Sequence, residues 1–262
     1  MINRINQKMI HCKANKEKAL ACFLTAGYPA PDKLLSLVDA IEKGGADIIE
    51  LGMPFSDPLA DGPMIQYSSR IALQKGVTLD WIFSQVRLIR SKSEIPIILM
   101  GYINPILAFG AAKFFKTASR AGVDGVIIPE IPLEESGRFS ELIKENKLAN
   151  ILLVTPTTLP DRIAAIDKQS NGFLYCVSTT GVTGLVKKRI DTKYLKVVKS
   201  SAKENPVLVG FGIRTSEDAR RVASSVDGVI IGSALIEKIR KGKSLKDVEN
   251  YVRGIKASMK LQ

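Results

Sequence analysis

Apolar positions along the chain follow two rhythms. Short continuous runs, many of them rich in β-branched residues, occupy Leu20–Thr25, Ile48–Gly52, Ile95–Gly101, Gly125–Pro129, Asn150–Val154, Gly172–Val177, Val207–Phe211 and Gly228–Gly232. Between them apolar residues recur every three or four positions, as at Leu34, Leu37, Val38 and Ile41, at Ile82, Val86 and Ile89, and at Leu245, Val248 and Val252. Continuous runs predict strands buried on both faces, hence a parallel sheet, and the amphipathic stretches predict helices covering it. Pro31-Asp32 and Ser136 stand near plausible helix starts, and Thr215 with Asp218 resembles a capping box. One phrase repeats: Gly45-Ala46-Asp47-Ile48-Ile49, Gly122-Val123-Asp124-Gly125-Val126 and Val226-Asp227-Gly228-Val229. Each copy reads as a helix stop, a turn and the opening of a buried strand, and the gaps between copies have room for further βα units of roughly 30 residues.

Eight alternations predict closure into a (β/α)8 TIM barrel. An open doubly wound sheet is the alternative, but it would carry GxGxxG after its first strand, and Gly27-Tyr28-Pro29 is not that. Residues 1–15 predict an extra N-terminal helix covering the barrel floor. No linker or composition break appears, so 1–262 is expected to form a single domain.

Composition narrows the picture. A length of 262 residues suits one barrel of ~250, and 45% hydrophobic content supports a large core. The cysteines, Cys12, Cys22 and Cys176, lack metal-site spacing, and the single histidine is His11, so a Cys/His zinc site is not expected. Few unpaired thiols suit a reducing cytoplasm. The apolar run Ala19–Ala26 after basic residues imitates a signal peptide, but it is short and exits into Gly27-Tyr28-Pro29, so it reads as a buried strand. No run approaches the ~20 residues that span a membrane. The net charge of +12 is spread over lysine-rich segments, with denser runs at Lys187-Lys188-Arg189, Lys193–Lys203 and Lys238–Lys246. These lack the interleaved aromatics of a nucleic-acid platform, leaving modest attraction for an anionic substrate.

In such a barrel the chemistry sits at the C-terminal strand ends. Glu50 lies inside the second apolar run, where burial would raise its pKa toward that of a neutral-pH proton donor. Asp61 follows on a polar, Pro-rich loop where it can move and stay ionised; two carboxyls in unlike environments are a common way to divide acid and base roles. The bland alternatives are a buried salt bridge for Glu50 and a turn residue for Asp61. The segment Ser178–Gly184, with two glycines and several hydroxyls, could fold over a ligand. Gly210-Phe211-Gly212-Ile213 and Gly232-Ser233-Ala234 each lead into a helix after the last two strands, where barrels often bind phosphate through backbone N–H groups.

The continuous run Glu50-Leu51-Gly52-Met53-Pro54-Phe55-Ser56-Asp57-Pro58-Leu59-Ala60-Asp61-Gly62-Pro63 resembles the signature of tryptophan synthase α subunits. The likeness continues in order through Phe23-Leu24-Thr25-Ala26-Gly27, Tyr102 with Asn104-Pro105, Ile131-Pro132 with Glu134-Glu135, Gly181-Val182-Thr183-Gly184, Gly210–Ile213 and Gly232–Ala234, and covers nearly the whole chain. The resemblance implies a lyase that cleaves indole-3-glycerol phosphate to indole and glyceraldehyde 3-phosphate. It implies Glu50 as the main acid/base, Asp61 as the second catalytic carboxylate and Tyr175 beside the substrate. Phe23, Tyr102 and Phe211 would border the indole pocket. Gly184, Gly212, Gly232 and Ser233 would bind phosphate, and Thr183 would meet Asp61 on loop closure. No cofactor is implied in this chain; pyridoxal phosphate is expected in a β subunit, with which the chain would form an α2β2 complex. One departure stands out: the family usually has Asp where this chain has Glu130. His11 and Trp81 are expected to be surface or packing residues and the cysteines inert. Competing readings are a stand-alone lyase, a silent subunit that only activates its partner, another phosphate-binding barrel such as a sugar-phosphate isomerase, and, on charge alone, a nucleic-acid binder.

Overall fold

A computed structural model describes residues 3–178 and 190–260, apart from the Arg138 side chain. In chain order the elements are α1 (Arg4–Ala14), β1 (Ala19–Thr25), a 3-10 turn (Pro31–Lys33) running into α2 (Leu34–Lys43), β2 (Ile48–Gly52), α3 (Pro63–Gln74), α4 (Leu79–Arg90), β3 (Ile97–Met100), α5 (Ile103–Phe109), α6 (Ala111–Ala121), β4 (Gly125–Ile127) and α7 (Leu133–Glu145). They continue as β5 (Ala149–Asn150), β6 (Leu153–Val154), α8 (Pro160–Gln169), β7 (Leu174–Val177), α9 (Thr192–Ser201), β8 (Val207–Gly210), α10 (Ser216–Ala223), β9 (Gly228–Ile231), α11 (Ser233–Arg240) and α12 (Leu245–Ser258).

Every strand pairing is parallel. β1 sits between β2 and β9, and the ladder runs outward through β3, β4 and β5 on one side and β8, β7 and β6 on the other. The two ends, β5 and β6, are halves of one chain segment interrupted at Ile151-Leu152. The interruption is bridged: Ile151 N–H donates to the Val126 carbonyl at 3.1 Å, and Tyr175 N–H donates to the Leu152 carbonyl at 3.0 Å. The sheet therefore closes into the eight-membered barrel that the alternation predicts, with its fifth strand split.

Alternation along the strands divides the core in two. Leu20, Cys22, Leu24, Ile49 and Leu51 face the helices. Ala19, Ala21, Ile48, Ile98, Phe173 and Leu208 face inward and pack with Ile5, Met9 and Cys12 of α1, so the N-terminal helix plugs the floor as expected. Asn3 caps that helix, its side chain accepting from Ile5 N–H at 2.8 Å.

The aspartate of the repeated phrase also has a job in register. Asp47 N–H donates to the Leu20 carbonyl at 2.8 Å, and its carboxylate accepts from the same residue's N–H at 2.8 Å. Asp124 does the same with Ile97, at 2.8 Å for both bonds. Asp227 does so with Val207, at 2.8 and 2.7 Å. Each aspartate thus satisfies both backbone groups of one residue on the neighbouring strand, which fixes the pairing at the barrel floor. Lys256 at 2.5 Å from Asp47, Arg90 at 2.6 Å from Asp124 and Lys199 beside Asp227 supply the compensating charges.

Two local expectations concern helix starts. Ser136 stands near a helix start as expected: α7 begins three residues earlier, at Leu133, after Pro132 in the extended conformation of an N-cap. Thr215 and Asp218 form a complete capping box at α10. The three cysteines are free and buried, and burial pushes all three thiols up, which makes them inert. Among the described residues no helix is long and apolar enough to cross a membrane, and no cluster of His, Cys, Asp or Glu could hold a metal ion.

Candidate functional site

A cavity of about 460 Å³ opens at the C-terminal ends of the strands. Thr25, Gly52, Met100 and Val177 line it from the last positions of β1, β2, β3 and β7, and Phe211 lines it from just beyond β8. Its wall is mostly apolar, with Asp61 the single acidic group among the described residues that line it. Phe23, Asp61, Tyr102 and Phe211, all singled out in the sequence, meet there.

Glu50 lies one layer deeper. On β2 it pairs with Phe23 on one side and Ile98 on the other, and shares the inward parity of Ile48 and Gly52. The side chain is completely buried, and neither carboxylate oxygen has a hydrogen-bond partner among the described residues. Burial alone drives its pKa to about 8, since nothing nearby stabilises the anion. Among the described residues Glu50 therefore forms no salt bridge. Tyr175 points inward from β7; its ring occupies the space that a Cβ at Gly210 would take, and it meets Phe211 edge-on at 6.2 Å. Burial, followed by the charges of Glu50 and Asp61, holds its phenol neutral.

Asp61 is tethered rather than free. Its N–H donates to the Pro58 carbonyl at 3.0 Å, and its carbonyl accepts from the Gln66 amide at 2.8 Å. Its carboxylate accepts from the Tyr102 hydroxyl at 3.2 Å, and the Tyr102 phenol oxygen in turn accepts from Ala60 N–H at 3.0 Å. Partial burial raises Asp61 to about 6, with the Tyr102 bond opposing the rise. The expected ionised loop carboxylate is thus a modestly perturbed one, charged in roughly tenfold excess at pH 7.

Of the residues expected to hold phosphate, Gly212, Gly232 and Ser233 flank the cavity without lining it. Phe211 and Gly212 both adopt left-handed backbone, φ 70° and 76°. For Phe211, a non-glycine, this conformation costs of order 1 kcal/mol. It is held by the Ser178 hydroxyl donating to the Phe211 carbonyl, while Ser178 N–H donates to the Gly210 carbonyl at 3.1 Å. Gly232 is the N-cap of α11 with no side-chain cap, so the first N–H groups of that helix, starting at Ser233, are free of intrahelical partners. Gly232 lies against Phe23, itself on the cavity wall. Thr183, Gly184 and the Lys187-Lys188-Arg189 run lie outside the described residues.

Sequence reading passed over Thr25, Met53, Ser69, Thr155 and Thr157, all of which line the cavity. Asking what ends every strand, rather than only the second, sixth, seventh and eighth, would have found Thr25, Met100 and Thr155. Glu130 also acquires a partner: its carboxylate accepts from Ile103 N–H at 3.0 Å, at the start of α5.

A family model described as tryptophan synthase alpha chain matches residues 9–261. The tryptophan synthase alpha chain of Geotalea daltonii is 44% identical over 98% of this chain and 99% of its own. That of Christiangramia forsetii is 43% identical over 98% and 99%. Among solved structures, the tryptophan synthase subunit alpha of Legionella pneumophila superposes with a TM-score of 0.88 at 36% identity, covering 99% of both chains. A chain of Mycobacterium tuberculosis tryptophan synthase does so with a TM-score of 0.91 at 33% identity, covering all of both. The chain belongs to the tryptophan synthase alpha chain family.

Proposed function

We propose that Glu50, Asp61 and Tyr175 carry the lyase reaction of this family, the cleavage of indole-3-glycerol phosphate to indole and glyceraldehyde 3-phosphate. The observation that carries the reading is the buried, unpartnered Glu50 carboxyl beneath an apolar cavity with a second carboxylate at its wall. The bond to break joins indole C3 to the glycerol chain, and C3 becomes a leaving group only when protonated. Glu50, holding its proton at neutral pH, is suited to deliver it once a side-chain rotation turns the carboxyl into the cavity. Positive charge then develops at the ring nitrogen, where Asp61 can stabilise it. The ionised Glu50 takes the proton from the hydroxyl of the adjoining carbon. As that C–O bond becomes a carbonyl, the C3–carbon bond breaks and its electrons return to the ring. Glu50 ends protonated, as it began. Tyr175 is read as packing beside the substrate between the two carboxyls, and Phe23, Tyr102 and Phe211 as bordering the ring. Gly212, Gly232 and Ser233, with Gly184, are read as the phosphate cradle. The phosphate supplies remote binding energy that fixes orientation. Thr183 is read as the loop residue that meets Asp61 on closure.

Residues 1–262 are taken as one barrel domain, a reading supported by the family match over 9–261. Buried free thiols suit a cytoplasmic location. The chain is read as the α component of an α2β2 complex whose β subunit carries pyridoxal phosphate. Indole is small, apolar and membrane-permeable, and a docked partner could receive it directly. The test follows cleavage of indole-3-glycerol phosphate by the purified chain, alone and titrated with a β subunit from the same source. Weak release alone and a rise of ~5–150-fold on adding β are expected, matching a coupling of ~1–3 kcal/mol. Full activity alone, with no complex by sedimentation, would favour a stand-alone lyase. No cleavage in either state, with β still activated, would favour a silent regulator.

A further inference from the structure

Glu130 stands three residues past β4 and is exposed, yet its carboxylate reaches across to α5. There it accepts from Ile103 N–H at 3.0 Å. That N–H is one of the orphan donors of a helix start, and the residue just before it is Tyr102, the N-cap of α5, whose own side chain provides no cap. Tyr102 faces the other way, into the cavity. Its ring stacks on Phe55 at 5.3 Å, its oxygen accepts from Ala60 N–H at 3.0 Å, and its hydroxyl donates to Asp61 at 3.2 Å. One phenol therefore touches the loop between β2 and α3 at three points, and one carboxylate braces the backbone that carries the phenol.

We propose that Glu130 is a positioning residue: by capping α5 it fixes Tyr102 in the orientation that holds Asp61 at the cavity wall. This role involves no partner chain and rests on the reading of Asp61 as a catalytic carboxylate. The brace has a further consequence for charge. Among the described residues the titratable groups facing Asp61 are Tyr102 from α5 and Tyr175 from β7, with Glu50 acting on Tyr175 and Glu130 on Tyr102. Only the Tyr102 hydrogen bond holds the Asp61 pKa down against burial. Loosening Tyr102 removes that bond, so the Asp61 pKa rises, and activity that needs the anion is lost from the acid side first.

The experiment compares Glu130→Ala, Glu130→Gln and the parent as isolated chains. Glu130→Gln keeps an acceptor oxygen for Ile103 N–H; Glu130→Ala does not. Two readouts are taken: amide hydrogen exchange at Ala60 and Ile103, and the pH profile of kcat/KM for indole release. Glu130→Ala is expected to speed exchange at both amides about tenfold, to lower kcat/KM about tenfold, and to shift the acid limb of its profile upward, while Glu130→Gln stays within about threefold of the parent; one lost hydrogen bond sets that scale. Unchanged exchange at Ala60 in Glu130→Ala overturns the proposal whatever the activity. Changed exchange with an unmoved acid limb shows a brace that does not act through Asp61, and overturns it too. If the parent releases no indole even with a β subunit added, the catalytic reading of Asp61 fails instead, and the exchange data still decide whether Glu130 holds the loop.

Discussion

Replacing Glu50 by Gln separates what this carboxyl contributes to chemistry from what it costs the fold. The ordinary value for such a group is 4.5, and in the barrel it is about 8, because burial without a partner penalises the anion. Below pH 4.5 the folded and unfolded chains both hold the proton, and no penalty arises. Above it the unfolded chain ionises in water while the folded chain must keep the proton or bury an unpaired charge. Stability therefore falls as pH rises from 4.5 to about 8 and then levels. At 1.36 kcal/mol per pH unit the full loss is about 5 kcal/mol, of which about 3 kcal/mol has accrued by pH 7. A Gln amide never ionises, and it leaves about the same buried polar surface unpaired as neutral Glu does. The variant should match the parent near pH 4.5 and exceed it by about 3 kcal/mol at pH 7, or roughly 6–12 °C in Tm at this chain length. Its kcat should meanwhile fall by ~10²–10⁴ or more, since in the proposed reaction the same group serves as acid and then as base. Denaturant midpoints between pH 4.5 and 9, together with indole release, measure both effects. Parallel stability curves across that window would show that Glu50 is solvated or paired, and refute the buried-acid argument. A stabilised variant with near-parental kcat would leave the burial correct and the catalytic role wrong.

Gly232→Asp should raise KM for the phosphorylated substrate at least tenfold with little change in Tm. Its φ is not left-handed, and a Cβ there meets Phe23 at 3.4 Å, an ordinary contact, so the carboxylate rather than strain is tested. Gly212 is the poorer site for that test, because any side chain at φ 76° is strained by of order 1 kcal/mol; an unchanged KM in Gly232→Asp places the phosphate elsewhere. At the opposite end of the barrel, Asp47→Ala should cost about 2 kcal/mol in chemical denaturation by stranding the Leu20 N–H, and Asp47→Asn, which keeps an acceptor, should recover at least half. Equal losses in the two variants would mean that the Lys256 ion pair, not the strand contact, carries the stability.

How much of this could be read beforehand depended on how far each feature reaches along the chain. Barrel closure and the floor helix were legible because each rests on a local periodicity. The split of the fifth strand was not, since Ile151 and Leu152 look like the rest of an apolar run and differ only in which neighbour they bond. Phe211 in left-handed backbone was equally hidden, because nothing in its identity announces the Ser178 hydroxyl that holds its carbonyl. Burial of Glu50 followed from its apolar flanks, but its lack of a partner depends on what the other strands bring inward: the Tyr175 ring, the gap at Gly210 and the Phe23 side chain. The repeated aspartates show the reverse. The sequence marked them as turn residues, and only the pairing of strands reveals that each satisfies both backbone groups of one residue next door. The two ends of the barrel thus treat buried carboxyls in opposite ways. At the floor Asp47, Asp124 and Asp227 are fully engaged with backbone and with lysine or arginine, which fixes register and leaves nothing free to react. Toward the other end Glu50 has no donor or counter-charge among the described residues, which destabilises the fold above pH 4.5 and, on the proposed reaction, leaves a proton for the substrate. A floor built as loosely as the top would lose the strand register that keeps Phe23, Glu50 and Ile98 in line. A top satisfied as fully as the floor would hold the same barrel with no acid to offer.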